Sequence, residues 1–496
     1  MKSRAAITSA SALALAFLAC ASPEGTERRQ PNILLIVSED NGPELGAYGD
    51  PYVRTPHLDA LADQGVLFER AYVAQAGCSP SRAAFLTGLY PHQNGQIGLA
   101  TWRFRMYDES TPNMASLLKE AGYRTGLIGK LHVNPEESFP FDFRAIEGSN
   151  FKREGLDAYA VEARRFIDAG EAPFFLSVNY PDAHRPFLRQ ADGLPHDPLE
   201  ADEVQTLAYM GVDTPDTRAQ TADYYNSMER LDALVGRLLQ ELDESGQAER
   251  TLVVYFGDHG ADLLRGKRTS YEGGIRVPLI VRWPGRAEPG AARRELVSLV
   301  DLLPTLLEAA SAPVPEELPG RSLIGLLEGE PGDWRRYLFT EFHVHSNHNY
   351  YPQRTVRDER FKLIRNLMPD EVNPGADFTV DRFFGGDVFR SALAEAPDGV
   401  RAANERMRRP PEFELYDLEA DPYEFHDLGE DETYGAELDR LQEALEAWRR
   451  QTADPLLDAG NVRRLKAEVD ATFQDGQYVR PESWNYVEYF RDSLQD

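Results

Sequence analysis

Ile33 to Val37 form an unbroken apolar run that gives way after Ser38 to the acidic pair Glu39-Asp40. A strand-length run without polar alternation predicts a strand buried on both faces of a parallel sheet. The same pattern recurs along the chain. Tyr123 to Gly129 ends at Lys130 and His132, Phe174 to Asn179 leads to Asp182 and His184, and Thr251 to Phe256 leads to Asp258 and His259. Helical patterns separate these runs. His57 to Gln64 is closed by Gly65, Thr111-Pro112 opens a helix through Glu120, and Thr214-Pro215 opens the longest one. In that longest helix Met228, Leu231, Val235, Leu238 and Leu242 recur at steps of three and four residues up to Gly246. Val66 to Val73 predicts another strand. The string from Ala76 to Gly88 predicts a loop and a short helix with Ser79 as N-cap, Pro80 at the first helical position and Gly88 as the stop. Strands alternating with helices predict an α/β sandwich, with the reactive residue types at the strand carboxyl ends.

After Pro319 the pattern changes. Tyr337 to Phe342, Phe361 to Ile364 and Glu414 to Leu418 read as short strands, and Tyr434 to Arg450 as an amphipathic helix. This predicts a catalytic domain over residues 31–365 and a smaller α+β domain with a tail over residues 366–496, the tail wrapping over the body. At the other end, Lys2 and Arg4 precede an apolar stretch to Ala19, too short to span a bilayer and suited to an export signal over residues 1–20. Phe17-Leu18-Ala19-Cys20 is similar to a bacterial lipobox, which implies lipid on Cys20, a tether over residues 21–30 and a periplasmic or outer-membrane-anchored lipoprotein. Cleavage after Ala21 is the alternative. Any membrane contact is then through the N-terminal lipid anchor alone.

The formal charge of −29 argues against nucleic acid as a partner. It equally requires local cations wherever an anion is to bind.

Those cations gather around Cys78-Ser79-Pro80-Ser81-Arg82. A cysteine at a helix N-terminus meets unpaired N–H groups and the positive end of the dipole, and Arg82 adds a fork of donors, so an oxyanion is the expected guest. With Ala83-Ala84-Phe85-Leu86-Thr87-Gly88 behind it, the string resembles the signature of the formylglycine-dependent sulfatase family. The resemblance implies an alkaline phosphatase-like fold: an α/β sandwich with a large mixed, mostly parallel sheet between helices, plus the smaller C-terminal α+β domain. It also implies that a formylglycine-generating or anaerobic sulfatase-maturing enzyme oxidises Cys78 to formylglycine. The hydrated aldehyde attacks sulfur, and its second hydroxyl then expels sulfate from the ester.

Further residues carry the likeness. Gly129-Lys130-Leu131-His132 resembles a family element in which the lysine contacts sulfate and the histidine holds the diol, and His184 matches the leaving-group acid. Gly266-Lys267-Arg268 precedes Tyr271-Glu272-Gly273-Gly274-Ile275-Arg276-Val277-Pro278, a segment that donates another sulfate-binding cation, with Lys267 and Arg268 as adjacent candidates. Glu39, Asp40, Asp258 and His259 match the metal positions. The resemblance implies one divalent cation, Ca²⁺ first; the longer side chain and the nitrogen donor, which depart from the usual Asp-Asp and Asp-Asn set, leave Mg²⁺ and Mn²⁺ as alternatives. Thr87 to Gly95, Phe139-Pro140-Phe141-Asp142-Phe143 and Leu415-Tyr416-Asp417-Leu418 resemble the heparan N-sulfatase (sulfamidase) branch in the same order. That implies a sulfated saccharide substrate, heparin or heparan fragments, cleaved at N–S or O–S, with His345 and Arg354 where substrate contacts gather. The competing readings are a phosphatase or phosphonate hydrolase of the same superfamily, and an unconverted glycan-binding lipoprotein.

Overall fold

A computed structural model of the protein describes residues 30–330 and 332–493. The expected export signal, lipobox and Cys20 lie outside the described residues. Eight strands form the central sheet: β1 Asn32–Ser38, β2 Val66–Phe68, β3 Arg124–Gly129, β4 Phe143–Ala145, β5 Phe174–Tyr180, β6 Thr251–Gly257, β7 Leu279–Arg282 and β8 Ala291–Arg293. Their order is β8-β2-β7-β6-β1-β5-β3-β4. Only β7 runs antiparallel to its neighbours β2 and β6.

The unbroken apolar run of β1 is explained by its place between two cores. Leu34 and Ile36 pack with Met228, Leu231, Val235 and Leu238 of α2, the helix Pro215–Glu244. Ile33, Leu35 and Val37 point to the other face, against Phe85 of α1, the helix Cys78–Thr87, and Leu303. A polar residue at any of these positions would enter one core or the other, so no alternation survives. The Thr214 side chain accepts from Thr217 N at 3.1 Å and Pro215 takes the first helical position, which starts α2 where the sequence placed it.

A second sheet is antiparallel: β9 Leu338–Phe342, β10 Gln353–Arg357, β11 Phe361–Asn366 and β12 Phe413–Asp417. The expected division at residue 365 would cut through β11. The smaller unit instead begins at Leu338, because strand pairing, not composition, joins the segments on either side. Helix α3, Pro374–Phe383, follows β11, and α4, Gly435–Gln451, covers the sheet. Leu441, Leu445 and Trp448 of α4 share a core with Val356, Leu363 and Leu415, and with Ala84 and Val300 of the larger unit. The tail wraps over the body: Val462, Leu465 and Phe490 pack on Ile97, Phe104 and Tyr107.

Three local expectations shift. The strand expected over 66–73 is broken into Val66–Phe68 and Ala71–Tyr72. The helix expected from Thr111-Pro112 begins at Met114, because the Asn113 side chain accepts from Ala115 N and Ser116 N. Helix α1 begins at Cys78 with Gly77 as N-cap, and the Ser79 hydroxyl instead accepts from Ala100 N at 2.9 Å. Gly88 ends α1 in the left-handed region as expected.

Candidate active site

Strand register builds the site. Ser38 of β1 is level with Tyr180 of β5 on one side and Gly257 of β6 on the other, and Gly129 of β3 is level with Asn179. The residues that follow these four strand ends therefore emerge together. Backbone bonds fix them: Glu39 N donates to the Asp182 carbonyl at 2.9 Å, and Asp40 N donates to Asp258 Oδ1 at 2.9 Å. Gly129 has φ +87, and a Cβ there would lie 2.2 Å from the Asn179 carbonyl oxygen, so glycine alone lets β3 turn out at this point. Asp40 (φ +51) and His132 (φ +60) hold left-handed backbone without that freedom, strain on the order of 1–3 kcal/mol each that concentrates where side chains must be aimed.

Cys78 faces this cluster. Its Sγ lies 3.4 Å from His259 Nε2, 3.9 Å from Asp40 Oδ1, and 3.3 Å from Lys267 Nζ, which also donates to both Asp40 oxygens at 2.9 and 3.0 Å. Lys130 Nζ donates to Glu39 Oε2 at 2.6 Å. Burial pushes the Cys78 thiol up, but Lys130, Lys267 and His259, with a hydrogen bond from His132, reverse this and hold it well below its ordinary value. Burial and then Lys130 press His132 down to about 4, so it is neutral. Burial opposes charge on His259 as well, yet Asp258 and Asp40 raise it to about 9. For His184 burial is likewise outweighed, chiefly by Asp40, and its pKa is raised. Its Nδ1 lies 2.6 Å from the Arg185 carbonyl, which leaves Nε2 for chemistry. Its ring stacks on Phe151 at 4.5 Å.

A nucleophile position at a helix N-terminus, backed by carboxylates and flanked by lysines, is the arrangement the signature implied. The model of the sulfatase family matches residues 31–312, and that of the N-sulphoglucosamine sulphohydrolase C-terminal region matches residues 257–376. The chain belongs to the sulfatase family. It is a sulfuric ester or sulfamate hydrolase. Human N-sulphoglucosamine sulphohydrolase is 34% identical over 468 residues, covering 86% of this chain and 91% of the relative. A Formosa agariphila ulvan-active sulfatase is 30% identical over 449 residues, covering 86% of this chain and 81% of the relative. Among solved structures, one described in complex with its substrate D-glucosamine-2-N,6-O-disulfate superposes with a TM-score of 0.61 at 21% identity, covering 86% of this chain and 99% of that one.

In this sulfatase Glu39, Asp40, Cys78, Lys130, His132, His184, Asp258, His259 and Lys267 come together as expected from sequence. Arg82 and Arg354 do not take their expected places, and of the adjacent pair left open by sequence it is Lys267, not Arg268, that faces Cys78. Arg82 is 1% exposed and does not fork outward: Nε donates to Asp258 Oδ2 at 3.0 Å, and Nη1 to the Lys130 carbonyl and Asn179 Oδ1, both at 2.9 Å. It supports the site from behind. Arg268 turns away from Cys78 and pairs with Asp262. Arg354, expected to contact substrate, is fully buried, its Nε and Nη2 donating to the two oxygens of Asp454 at 2.8 and 2.7 Å. It is a structural residue. His345 lies against Gly77 beside Cys78, and burial presses its pKa down to about 3 although Cys78 opposes this.

Sequence reasoning missed the supports. Asn179 orients Arg82, and Asp182 binds both Arg230 Nη2 at 2.7 Å and Arg153 Nε at 2.9 Å. Arg230 offered one signal, a charge on the apolar stripe of α2 beside Leu231. Phe151 offered none.

The donor set fits a divalent cation. One ligand atom from each of Asp40, Cys78 and His184 lies within 4.8 Å of the others, and so does one from each of Cys78, Asp258 and His259. Among the described residues Glu39 Oε1 is buried with no hydrogen-bond partner and only Arg82 Nη2 at 3.9 Å as an ion-pair neighbour, a state that a bound cation would relieve.

Proposed function

We propose that this sulfatase is itself exported and, after Cys78 is converted to formylglycine, removes sulfate from the glucosamine nitrogen, or from an oxygen of the same class of sugar, in heparin- or heparan-type saccharides. The position of Cys78 carries the reading: the first residue of α1, within reach of Lys267, His259 and Asp40. The similarity to human N-sulphoglucosamine sulphohydrolase supports the substrate class, because it extends over 86% of the chain and so through both sheets.

The chain's own residues divide the work. Lys267 and Lys130 place two ammonium groups on the side from which sulfate oxygens approach, where they offset charge that grows as the S–N or S–O bond breaks. His184, held by its Nδ1 contact to the Arg185 carbonyl and stacked on Phe151, and with its pKa raised chiefly by Asp40, delivers a proton to the leaving nitrogen or oxygen. Neutral His132 steadies the nucleophile position. Arg82 keeps Asp258 in place. The converted aldehyde, once hydrated, supplies both the attacking and the expelling hydroxyl.

Glu39, Asp40 and Asp258, with His259, would hold the divalent cation, which supplies Lewis-acid polarisation of the sulfate oxygens. Glu39, Asp40 and Asp258 face Arg82, Lys130 and Lys267, so a divalent ion would leave positive charge beside Cys78 despite the overall −29. The His259 nitrogen favours Mn²⁺ over Ca²⁺.

Intact mass and a saccharide panel test the reading. Protein from a host with a maturing enzyme is expected about 18 Da lighter than the unconverted chain. It is expected to release sulfate from defined N-sulfated saccharides. An unmodified thiol in fully active protein refutes the formylglycine role, and release from aryl sulfate alone refutes the glycan substrate.

A further inference from the structure

A second group of cations stands beside the reacting centre and takes no part in the chemistry at sulfur. The Arg185 guanidinium lies against the rings of both Phe187 and Phe383, at 4.3 and 4.4 Å from their centroids. The Arg268 guanidinium lies 5.6 Å from the same Phe383 ring and 5.5 Å from that of Phe378. Phe378 in turn packs against His348 at 4.2 Å. Cation and aromatic ring thus alternate along a wall built from three distant segments: the loop after β5, the loop that carries Lys267, and α3.

The wall begins at the catalytic residues. Arg185 follows His184 and Arg268 follows Lys267 in sequence, and Arg268 N donates to the Ala76 carbonyl at 3.0 Å, two residues before Cys78. Asp262 is the carboxylate shared by both arginines, bound by Arg268 Nη1 at 3.3 Å and lying 3.9 Å from Arg185 Nε. Two guanidiniums share this one carboxylate in contact, while Asp40 and Asp216 act on Arg185 from farther off. Donors remain as well. Arg268 is 6% exposed, yet its Nε has no hydrogen-bond partner among the described residues. Arg185 gives Nε to the Asp262 carbonyl and Nη2 to Gln220 Oε1, and the half-buried side chain keeps Nη1 free of any described residue.

Guanidiniums packed against rings are partly desolvated and already oriented, so an incoming oxyanion meets donors that need little rearrangement. The ring edges present apolar surface to the C–H faces of a sugar. A protein of charge −29 has no reason from its global field to attract a polyanion, which makes a local pair of guanidiniums informative.

We propose that Arg185 and Arg268, stacked among Phe187, Phe383 and Phe378, form a second anion subsite for one carboxylate or sulfate carried by the saccharide in addition to the sulfate being cleaved. The inference rests on the glycan reading above. The source of the anionic group is either a second sulfate on the reacting sugar or the carboxylate of a neighbouring uronic acid.

The test compares kcat/KM on three substrates: glucosamine N-sulfate, glucosamine N,6-disulfate, and the N-sulfoglucosamine–uronate disaccharide. The second and third identify the source of the group. Arg185→Gln and Arg268→Gln are expected to lower the ratio of dianionic to monoanionic kcat/KM about tenfold or more, and Arg185→Lys, which keeps the charge but not the stacked fork, to recover only part of it. For the unaltered enzyme the same ratio is expected to fall with added salt, a reading independent of any variant's folding. An unchanged ratio in both variants overturns the subsite, as does an equal loss on all three substrates. If none of the sugars is hydrolysed, the glycan reading fails on turnover. The subsite is then decided by calorimetry of glucosamine N,6-disulfate and the disaccharide on Cys78→Ala protein, with Arg185→Gln expected to weaken binding about tenfold and unaltered affinity overturning it.

Discussion

Lys267 and Arg268 are consecutive in the chain and point to opposite ends of the site. Lys267 Nζ lies 2.9 Å from Asp40 Oδ2, while Arg268 pairs with Asp262. The left-handed backbone at Arg268 (φ +72) reverses the chain direction between them. Lys267→Ala is expected to lower kcat/KM on any accepted sulfate about a hundredfold or more, since it removes an ammonium from the developing charge. Steady-state kinetics on an aryl sulfate measures this, and near-wild-type turnover would remove Lys267 from the reaction.

His259 brings nitrogen to a cluster otherwise made of carboxylates. On metal-depleted protein, His259→Asn is expected to move the ratio of Mn²⁺ to Ca²⁺ affinity about tenfold towards Ca²⁺, because an amide oxygen suits the harder ion. Titration calorimetry with each metal reads this without turnover. An unaltered ratio would mean that the imidazole is not a ligand.

Arg354 belongs to a buried ion network. It donates to both Asp454 oxygens, Arg449 Nε reaches the same carboxylate at 2.7 Å, and His92 Nδ1 lies 2.6 Å from Glu341, itself 3.6 Å from Arg354. Arg354→Ala is expected to cost about 3 to 5 kcal/mol of stability by leaving Asp454 and Glu341 short of a cation. Urea unfolding checks the loss. A rate defect larger than the unfolded fraction explains would return Arg354 to the substrate site.

Asp232 accepts from Leu58 N at 2.8 Å and His57 N at 3.0 Å, and burial raises its carboxyl from an ordinary 3.8 to about 7. The folded state therefore holds this proton more tightly than the unfolded chain. Its contribution is fully present below the unfolded pKa and is lost as pH rises through about 7. Between pH 4 and 8 the loss is on the order of 2 to 4 kcal/mol. Asp232→Asn keeps an acceptor without the charge, so its unfolding free energy is expected to vary less over that interval. Identical pH slopes in the two proteins would contradict the assignment.

The sequence by itself determined the frame. An apolar run has no alternation only when both faces are covered, so Ile33 to Val37 declared a central parallel strand, and Glu39-Asp40 marked its carboxyl end. Thr214-Pro215 and Gly88 carry cap chemistry in their own side chains or backbone freedom, so the elements they bound begin or end where expected. The reactive set around Cys78 was legible for the same reason: each member follows a strand end, and parallel register brings strand ends together.

What only the tertiary structure decided is the direction of side chains and the partners that hold them. Which of Lys267 and Arg268 faces Cys78 depends on one left-handed residue. Arg82 and Arg354 were both read as cations open to a ligand, but a guanidinium's role is fixed by the carboxylates packed around it, and Asp258 and Asp454 arrive from 176 and 100 residues away. The wall of Arg185, Arg268, Phe383 and Phe378 belongs to the same class: its members carry no local pattern, and only the docking of α3 against the two catalytic loops stacks them.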